Sequence, residues 1–290
     1  MKIIIFLVIE NDRNAGCGGS GGNSQLHQNR NLSKELELLE LCLSRWTNNK
    51  INPSFYDIDI KLICPNNNPP DKKFIDIMCK KYSQLEYIHK PHKEADNFPA
   101  GWYNVPLAGK VLEEHCDYDV AIHIDLDMIL MRDFDKKLLE FTSNEIAKCA
   151  VYDKNYTDDY EEMLGIKKEF VTCFMTSTKV GKFYTTWYDM QCELQSYYEN
   201  EIKPTKEQTQ LWWEYCNCEE HAVDKMYYDK NLKITKLINK QFSRTQGYGS
   251  VEYHKEHIKD LLFLHCHIDE GWELECKEYM DVYINEIVKR

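Results

Sequence analysis

Two aspartates, Asp125 and Asp127, sit one residue apart inside an otherwise apolar run, Val120-Ala121-Ile122-His123-Ile124-Asp125-Leu126-Asp127-Met128-Ile129-Leu130-Met131. Residues i and i+2 of extended chain project to the same side. Two carboxylates held together in apolar surroundings repel and lose hydration unless a cation neutralises them. The spacing therefore predicts a hard divalent ion, Mn²⁺ or Mg²⁺, held by Asp oxygens together with phosphate oxygens and water. The competing reading is a turn at a sheet edge with two solvated aspartates. A second acidic pair, Glu220 and Asp224 in Cys218-Glu219-Glu220-His221-Ala222-Val223-Asp224, lies four apart at a helix start and shares one helix face. Acids in a first helical turn are also favoured by the helix dipole alone.

Other motifs carry less. Gly16-Cys17-Gly18-Gly19-Ser20-Gly21 matches GxGxxG after a strand. A polar stretch, Asn23 to Asn31, intervenes before the next helix, whereas a dinucleotide fingerprint turns straight from strand to helix. The segment reads as a flexible loop. Cys216, Cys218, His221, Cys266 and His267 could in principle assemble a zinc site, but Cys-x-Cys is a weaker signal than paired CxxC knuckles.

The elements that must position these residues alternate. Ile3 to Ile9 is a continuous apolar strand, and Ser33 can cap a helix with the stripe Leu36, Leu39, Leu43 and Trp46. Tyr56, Ile58, Ile60 and Leu62 alternate with polar residues as a strand, which ends in the breaker Pro65 to Pro70. A helix over about 71–84, with Ile75, Met78, Cys79 and Tyr82 on one face, leads to a short strand at Leu85 to Ile88. Asn104 can cap a helix to His115, and Tyr118 to Ile124 returns as a strand. Strands are then expected at Ile146 to Val151, Phe170 to Thr176 and Leu261 to His265, with helical stretches over Phe183 to Tyr215 and Glu219 to Tyr228. Repeated βα units predict an α/β fold whose parallel or mostly parallel sheet gathers ligands at the carboxyl ends of its strands. With no repeat and no long linker, the two halves are expected to share one core.

Composition narrows the function classes. The chain has 290 residues, 43% hydrophobic and 29% charged, which excludes disordered and fibrous classes. A net charge of −12 argues against tracking nucleic-acid phosphates and against docking on an anionic membrane. The opening apolar run lacks a cleavage site and no run approaches a membrane span, so a cytoplasmic chain without a signal peptide is expected. The 12 cysteines are scattered along a long chain and read as reduced thiols.

With these residues in view, the chain resembles the DxD glycosyltransferases of the GT-A fold, which move a sugar from a nucleoside-diphosphate donor. The features carrying the resemblance are glycogenin-like, or family 8-like: the opening strand, Lys110 on a helix 15 residues before Asp125, Tyr118-Asp119-Val120 leading into the DxD, and Leu262-Phe263-Leu264-His265-Cys266-His267. The resemblance implies a single domain over 1–290 with a Rossmann-like mixed central sheet flanked by helices, 1–127 binding the nucleotide sugar and 128–290 the acceptor. It implies that Asp125 contacts ribose and metal, that Asp127 binds the metal, and that His265 completes the site, with His267 as the competing ligand. Val8, Ile9, Glu10 and Asn11 at the end of the first strand, Lys110, Leu126 and Gly271 would contact the donor. Gly271 and Trp272 follow the histidine as in glycogenin-like enzymes, but the Lys-Pro step of those enzymes is missing. Glu220, ahead of Asp224, would take the proton from the acceptor hydroxyl. One or two of the aromatics between Phe183 and Tyr215 would stack on sugar rings and the rest fill the core.

The activity this implies is metal-dependent transfer of a monosaccharide, hexosyl or pentosyl, from a UDP- or GDP-sugar to a hydroxyl on a glycan, lipid or protein, as in glycan biosynthesis. A homo-oligomer is left open. Two rivals stand beside it. In a haloacid-dehalogenase-like Mg²⁺ phosphatase, Asp125 would attack phosphorus, although Ile129 stands where that motif carries threonine or valine. A non-catalytic carbohydrate-binding module would show no metal dependence.

Overall fold

The computed structural model describes residues 1–9, 43, 57–67, 69–92, 100–124, 128–130, 136–151, 165, 167, 169–203, 205, 218–238, 242–244 and 263–265. In chain order the elements are β1 (Lys2–Val8), β2 (Asp57–Cys64), α1 (Lys72–Lys81), β3 (Leu85–His89), α2 (Ala100–His115), β4 (Val120–His123), β5 (Met128–Leu130), α3 (Lys136–Leu139), β6 (Glu145–Val151), β7 (Phe170–Ser177), α4 (Phe183–Tyr197), a π-helical turn (Tyr198–Ile202), α5 (Cys218–Asp229), β8 (Lys233–Ile238), β9 (Phe242–Arg244) and β10 (Phe263–His265).

Seven strands form the central sheet in the order β3-β2-β1-β4-β7-β6-β8. Parallel pairing joins β1 to β2 and β4, β2 to β3, and β6 to β8, while β7 runs against both of its neighbours. The sheet is therefore mixed. Ile3 to Ile9 are all buried, as a continuous apolar run in mid-sheet requires. On the face carrying Ile4, Phe6 and Val8, α2 and α4 pack with Val105, Ala108, Val111, Phe183, Tyr184 and Trp187, and α5 adds Ala222, Val223 and Met226. A separate three-stranded sheet has the order β5-β10-β9.

Local signals explain most boundaries. Asp71 caps α1 by accepting from the Phe74 N–H at 3.1 Å, and Ile75 and Met78 are buried as the helical spacing predicts. α2 begins at Ala100, so Asn104 lies inside it rather than capping it, and Pro106 is an interior residue. The proline costs one backbone hydrogen bond. Burial of Val105, Leu107, Ala108, Val111 and Leu112 outweighs it. The helix expected through Tyr215 changes character at Tyr198 and stops at Lys203, which takes the left-handed conformation at φ 51°. Of the stripe after Ser33, Leu43 is helical and fully buried, and the rest lies outside the described residues. Cys64, Cys79, Cys116, Cys149 and Cys192 form no disulfide. Among the described residues no helix is long and apolar enough to cross a membrane.

Candidate functional site

The strand order sets the place of the site. From β1 the chain builds outward on one side through β2 and β3, then returns to the other side of β1 as β4. The crevice outside the carboxyl ends of β1 and β4 is thus a topological switch point, where open α/β sheets bind ligands. Both strand ends are pinned there. Ile124 N–H donates to the Phe6 carbonyl at 3.1 Å, and Ile9 N–H donates to the Ile63 carbonyl at 3.0 Å. Val8 and Ile9 are buried and close the core beneath the crevice.

Asp125, Leu126 and Asp127 lie outside the described residues, as do Glu10, Asn11, His267 and Gly271. Both residues flanking the Asp-Leu-Asp segment are described. Ile124 ends the chain's run beside β1, and Met128 opens β5, whose antiparallel register with β10 sets Met128 opposite His265. Opposed Cα atoms in such a pair are about 4.5–5.5 Å apart. Met128 and His265, 137 residues apart in sequence, are therefore set side by side by backbone pairing, and Asp127 directly precedes Met128 in the sequence. On the other side of β10, β9 runs parallel and sets Arg244 opposite His265. Two carboxylates and an imidazole are a donor set that suits Mn²⁺ or Mg²⁺ with further oxygen ligands. Among the described residues no three His, Cys, Asp or Glu side chains meet as a metal site.

The other expected residues fall in distinct places. Lys110, on α2, holds its ammonium 5.0 Å from the ring centroid of Tyr188 on α4, and that ring lies 5.9 Å from the ring of His92 beyond β3. His123, two residues before Asp125, is buried with its ring 5.2 Å from Phe6. Asp224 is fully buried, and its Oδ1 accepts from the N–H groups of Glu169 at 2.9 Å and Phe170 at 3.1 Å. It fastens α5 to the opening of β7, at the carboxyl edge of the sheet. At its other end α5 leads through three residues into β8, whose first residue, Lys233, pairs with Glu145 at the amino edge. The helix N-terminus is therefore directed past the carboxyl edge, and Glu220 lies about 6 Å farther that way than Asp224. Among the expected aromatics, Phe183, Tyr184, Trp187, Tyr188 and Tyr198 are core, while Tyr197 is exposed.

Two positioning residues escaped the sequence reading. Lys148, in β6, donates to the carbonyls of Lys137 at 3.2 Å, Leu138 at 2.8 Å and Glu140 at 2.6 Å, closing the end of α3. Burial pushes its ammonium below the ordinary lysine value. The clue was present: a lysine inside the apolar run Ile146 to Val151 must find acceptors or stay out of the core. Glu113, on α2, accepts from Tyr184 N–H at 2.8 Å, Thr185 N–H at 3.0 Å and the Thr185 hydroxyl at 2.7 Å. It caps α4, whose own cap position, Lys182, offers no side-chain acceptor.

No family model matches the sequence, and no curated protein matches it. Solved structures do. The galactosyltransferase LgtC in complex with donor and acceptor sugar analogues is similar at a TM-score of 0.53 and 10% identity, over 98% of this chain and 95% of that one. An active-site mutant of LgtC gives 0.52 and 10%, over 97% and 96%. The glycosyltransferase GlyE of Streptococcus pneumoniae TIGR4 gives 0.48 and 13%, over 98% of this chain and 63% of that chain. At such identities the likeness is one of fold. The chain thus has a GT-A-like α/β fold, a mixed central sheet flanked by helices, similar to LgtC along nearly its whole length.

Proposed function

We propose that the protein is a metal-dependent glycosyltransferase that moves a monosaccharide from a nucleoside-diphosphate sugar to a hydroxyl acceptor. The observation that carries this reading is the switch-point crevice, with Asp125 and Asp127 following β4 and His265 set opposite Met128. Asp125, Asp127 and His265 would hold Mn²⁺ or Mg²⁺. When bound, that ion supplies Lewis-acid stabilisation of the charge developing on the leaving diphosphate. The end of β1, from Val8 to Asn11, with Lys110, Leu126 and Gly271, holds the nucleotide, a UDP- or GDP-sugar in the first instance. Glu220, at the end of α5 that faces the crevice, accepts the proton of the acceptor hydroxyl. Asp224, already bonded to two backbone N–H groups, holds that helix in place. Residues 1–127 supply the donor half and 128–290 the acceptor half of one domain, whose product belongs to glycan assembly.

The test is a thermal-unfolding panel of UDP, GDP, CDP and their sugars, each with and without Mn²⁺, on the wild type and on Asp127→Ala. One nucleotide should stabilise the wild type only with metal, by about 2.7 kcal/mol at a hundredfold excess over Kd. Asp127→Ala should lose that gain while keeping the unliganded melting temperature. Stabilisation by Mg²⁺ with a phosphate mimic and by no nucleotide would overturn the reading in favour of a phosphatase.

A further inference from the structure

The outer face of α1 carries a cationic cluster that the helix itself does not call for. Four of its ten residues are lysines: Lys72, Lys73, Lys80 and Lys81. Lys80 and Lys81, in the last turn, suit the negative end of the helix dipole. Lys72 and Lys73 stand in the first turn, where a positive charge is unfavourable and no acidic residue is present. Among the described residues no carboxylate pairs with Lys72, Lys73 or Lys80. Ile75 and Met78 are buried, so at about 3.6 residues per turn Lys73, Ile77 and Lys80 share the face turned away from the sheet. All three are exposed, and Ile77, at 55%, is the most exposed large hydrophobic residue among those described. An isoleucine between two lysines thus forms the crest of the helix, with Asp76 as the acid on that face.

We propose that α1 is a docking helix for anionic phospholipid, lying parallel to a bilayer with Ile77 below the headgroups and the lysines at the lipid phosphates. The net charge of −12 opposes docking by bulk charge, but it is spread over 290 residues. At physiological ionic strength a charge is felt over only about 8 Å, so a surface touching α1 meets the lysines of that face. Clusters of four or more lysines on an amphipathic helix suit a leaflet of anionic lipid. Ile77 favours lipid over nucleic acid, because a bilayer offers apolar depth beneath its phosphates, and the apolar stems of Lys73 and Lys80 can follow it while their ammonium groups stay at the surface. The crest is convex, which suits a deformable surface, whereas a rigid protein partner would need a groove to bury Ile77. The proposal is independent of the glycosyltransferase reading. α1 runs alongside the sheet between the end of β2 and the start of β3, so a bilayer against it lies beside the switch-point crevice and not over its mouth.

Cosedimentation of the full chain with vesicles tests this. One set is phosphatidylcholine alone, and the other is equal parts phosphatidylcholine and phosphatidylglycerol. The wild type should bind the mixed vesicles, less as salt rises, and leave the neutral ones free. Each lysine near such a surface is worth about fivefold in affinity, so Lys73→Gln combined with Lys80→Gln should weaken binding by about twenty- to thirtyfold. Ile77→Ser should weaken it several-fold. Asp76→Asn should tighten it, a gain that no loss of structure produces. All four positions are exposed, so melting temperatures without vesicles should stay at the wild-type value. No binding of the wild type to the mixed vesicles would overturn the proposal, and so would binding that the paired lysine substitutions leave unchanged. Equally tight binding of inorganic polyphosphate, undiminished in Ile77→Ser, would overturn it in favour of polyanions in general. A dimer that forms without vesicles and dissociates on the paired lysine substitutions would overturn it in favour of a second copy of the chain.

Discussion

Asp224 and Glu220 share a helix face, and Asp224 is committed to holding the fold. Asp224 has no solvent exposure and satisfies two N–H groups at the start of β7, so its loss strands one buried donor, Phe170 N–H, and one partly buried, Glu169 N–H. Each unpaired buried donor costs about 1–3 kcal/mol. Asp224→Ala should accordingly lower the unfolding free energy in urea by at least that much, and Asp224→Asn, which keeps an acceptor oxygen, by less. Under the proposed function Glu220→Gln, a near-isosteric change, should abolish most turnover while keeping the wild-type melting temperature. A stable Asp224→Asn with no turnover would transfer the proton-accepting role to Asp224. Lys148 obeys the same logic with the opposite charge. Its three carbonyl partners are what make a lysine tolerable in a buried strand, and they tie the chain that has just left β5 to the main sheet.

Two elements, α2 and α4, cross at a point that admits no side chain. A Cβ built on Gly109 would come 2.0 Å from Cγ of Tyr184, a fully buried ring packed edge-on against Phe6 and Phe183. Overpacking of this kind costs typically about 1–3 kcal/mol and sometimes more. Gly109→Ala should lower the melting temperature by several degrees, although alanine is the better helix former, and Gly109→Ala with Tyr184→Leu should recover part of the loss. The same helix pair is coupled through Glu113. Burial pushes its carboxyl above the ordinary value, while the hydrogen bonds from Thr185 and Tyr184 and the charge of Lys182 pull the other way. The folded state therefore holds this proton more tightly than the unfolded chain, whose glutamate titrates near about 4.3. Stability from this group is full below that pH and is lost as pH rises through the folded-state value. In urea titrations from about pH 4 to pH 7, the wild type should lose ground to Glu113→Gln; parallel curves would show that the carboxyl titrates as in the unfolded chain. Such contacts were not legible in sequence, because each joins residues about 70 positions apart through a helix crossing that no periodicity encodes. The strands β1, β2, β4, β6 and β7 and the helices α1 and α5 were legible, because continuous apolar runs, alternation and capping residues are local. β5, β8 and β9 were not anticipated. Three-residue strands such as β5 and β9 carry too little pattern, and Lys233-Ile234-Thr235-Lys236-Leu237-Ile238 breaks the period of two. The pairing of His265 with Met128 depends on β5 and was not anticipated; the family resemblance implied only a place for His265 among the metal ligands.

At the scale of the whole molecule, stability is graded from the middle of the sheet outward. β1 is flanked on both sides and buried on both faces, whereas β3 and β8 are the edges among the described residues, with Lys233 and Lys236 on β8 discouraging pairing with another chain. Native-state hydrogen exchange should be slowest in β1, β2 and β4, faster in β3 and β8, and fastest in β5, β9 and β10, whose three-residue ladders hold the fewest hydrogen bonds. Bound nucleotide with Mn²⁺ should slow the last group more than the first. Uniform slowing across the chain would mean instead that the two sheets open only together. The antiparallel join of β5 to β10 also fixes an order of construction. After β5, 132 residues intervene before β10, which follows every strand of the main sheet, so this join can form only when the main sheet's strands have all been made. During synthesis, Asp125 and Asp127 emerge long before His265. A nascent chain can thus carry a finished main sheet and still lack the strand that completes the proposed metal site, which makes metal-dependent nucleotide binding a test of whether the last part of the chain has been made and docked.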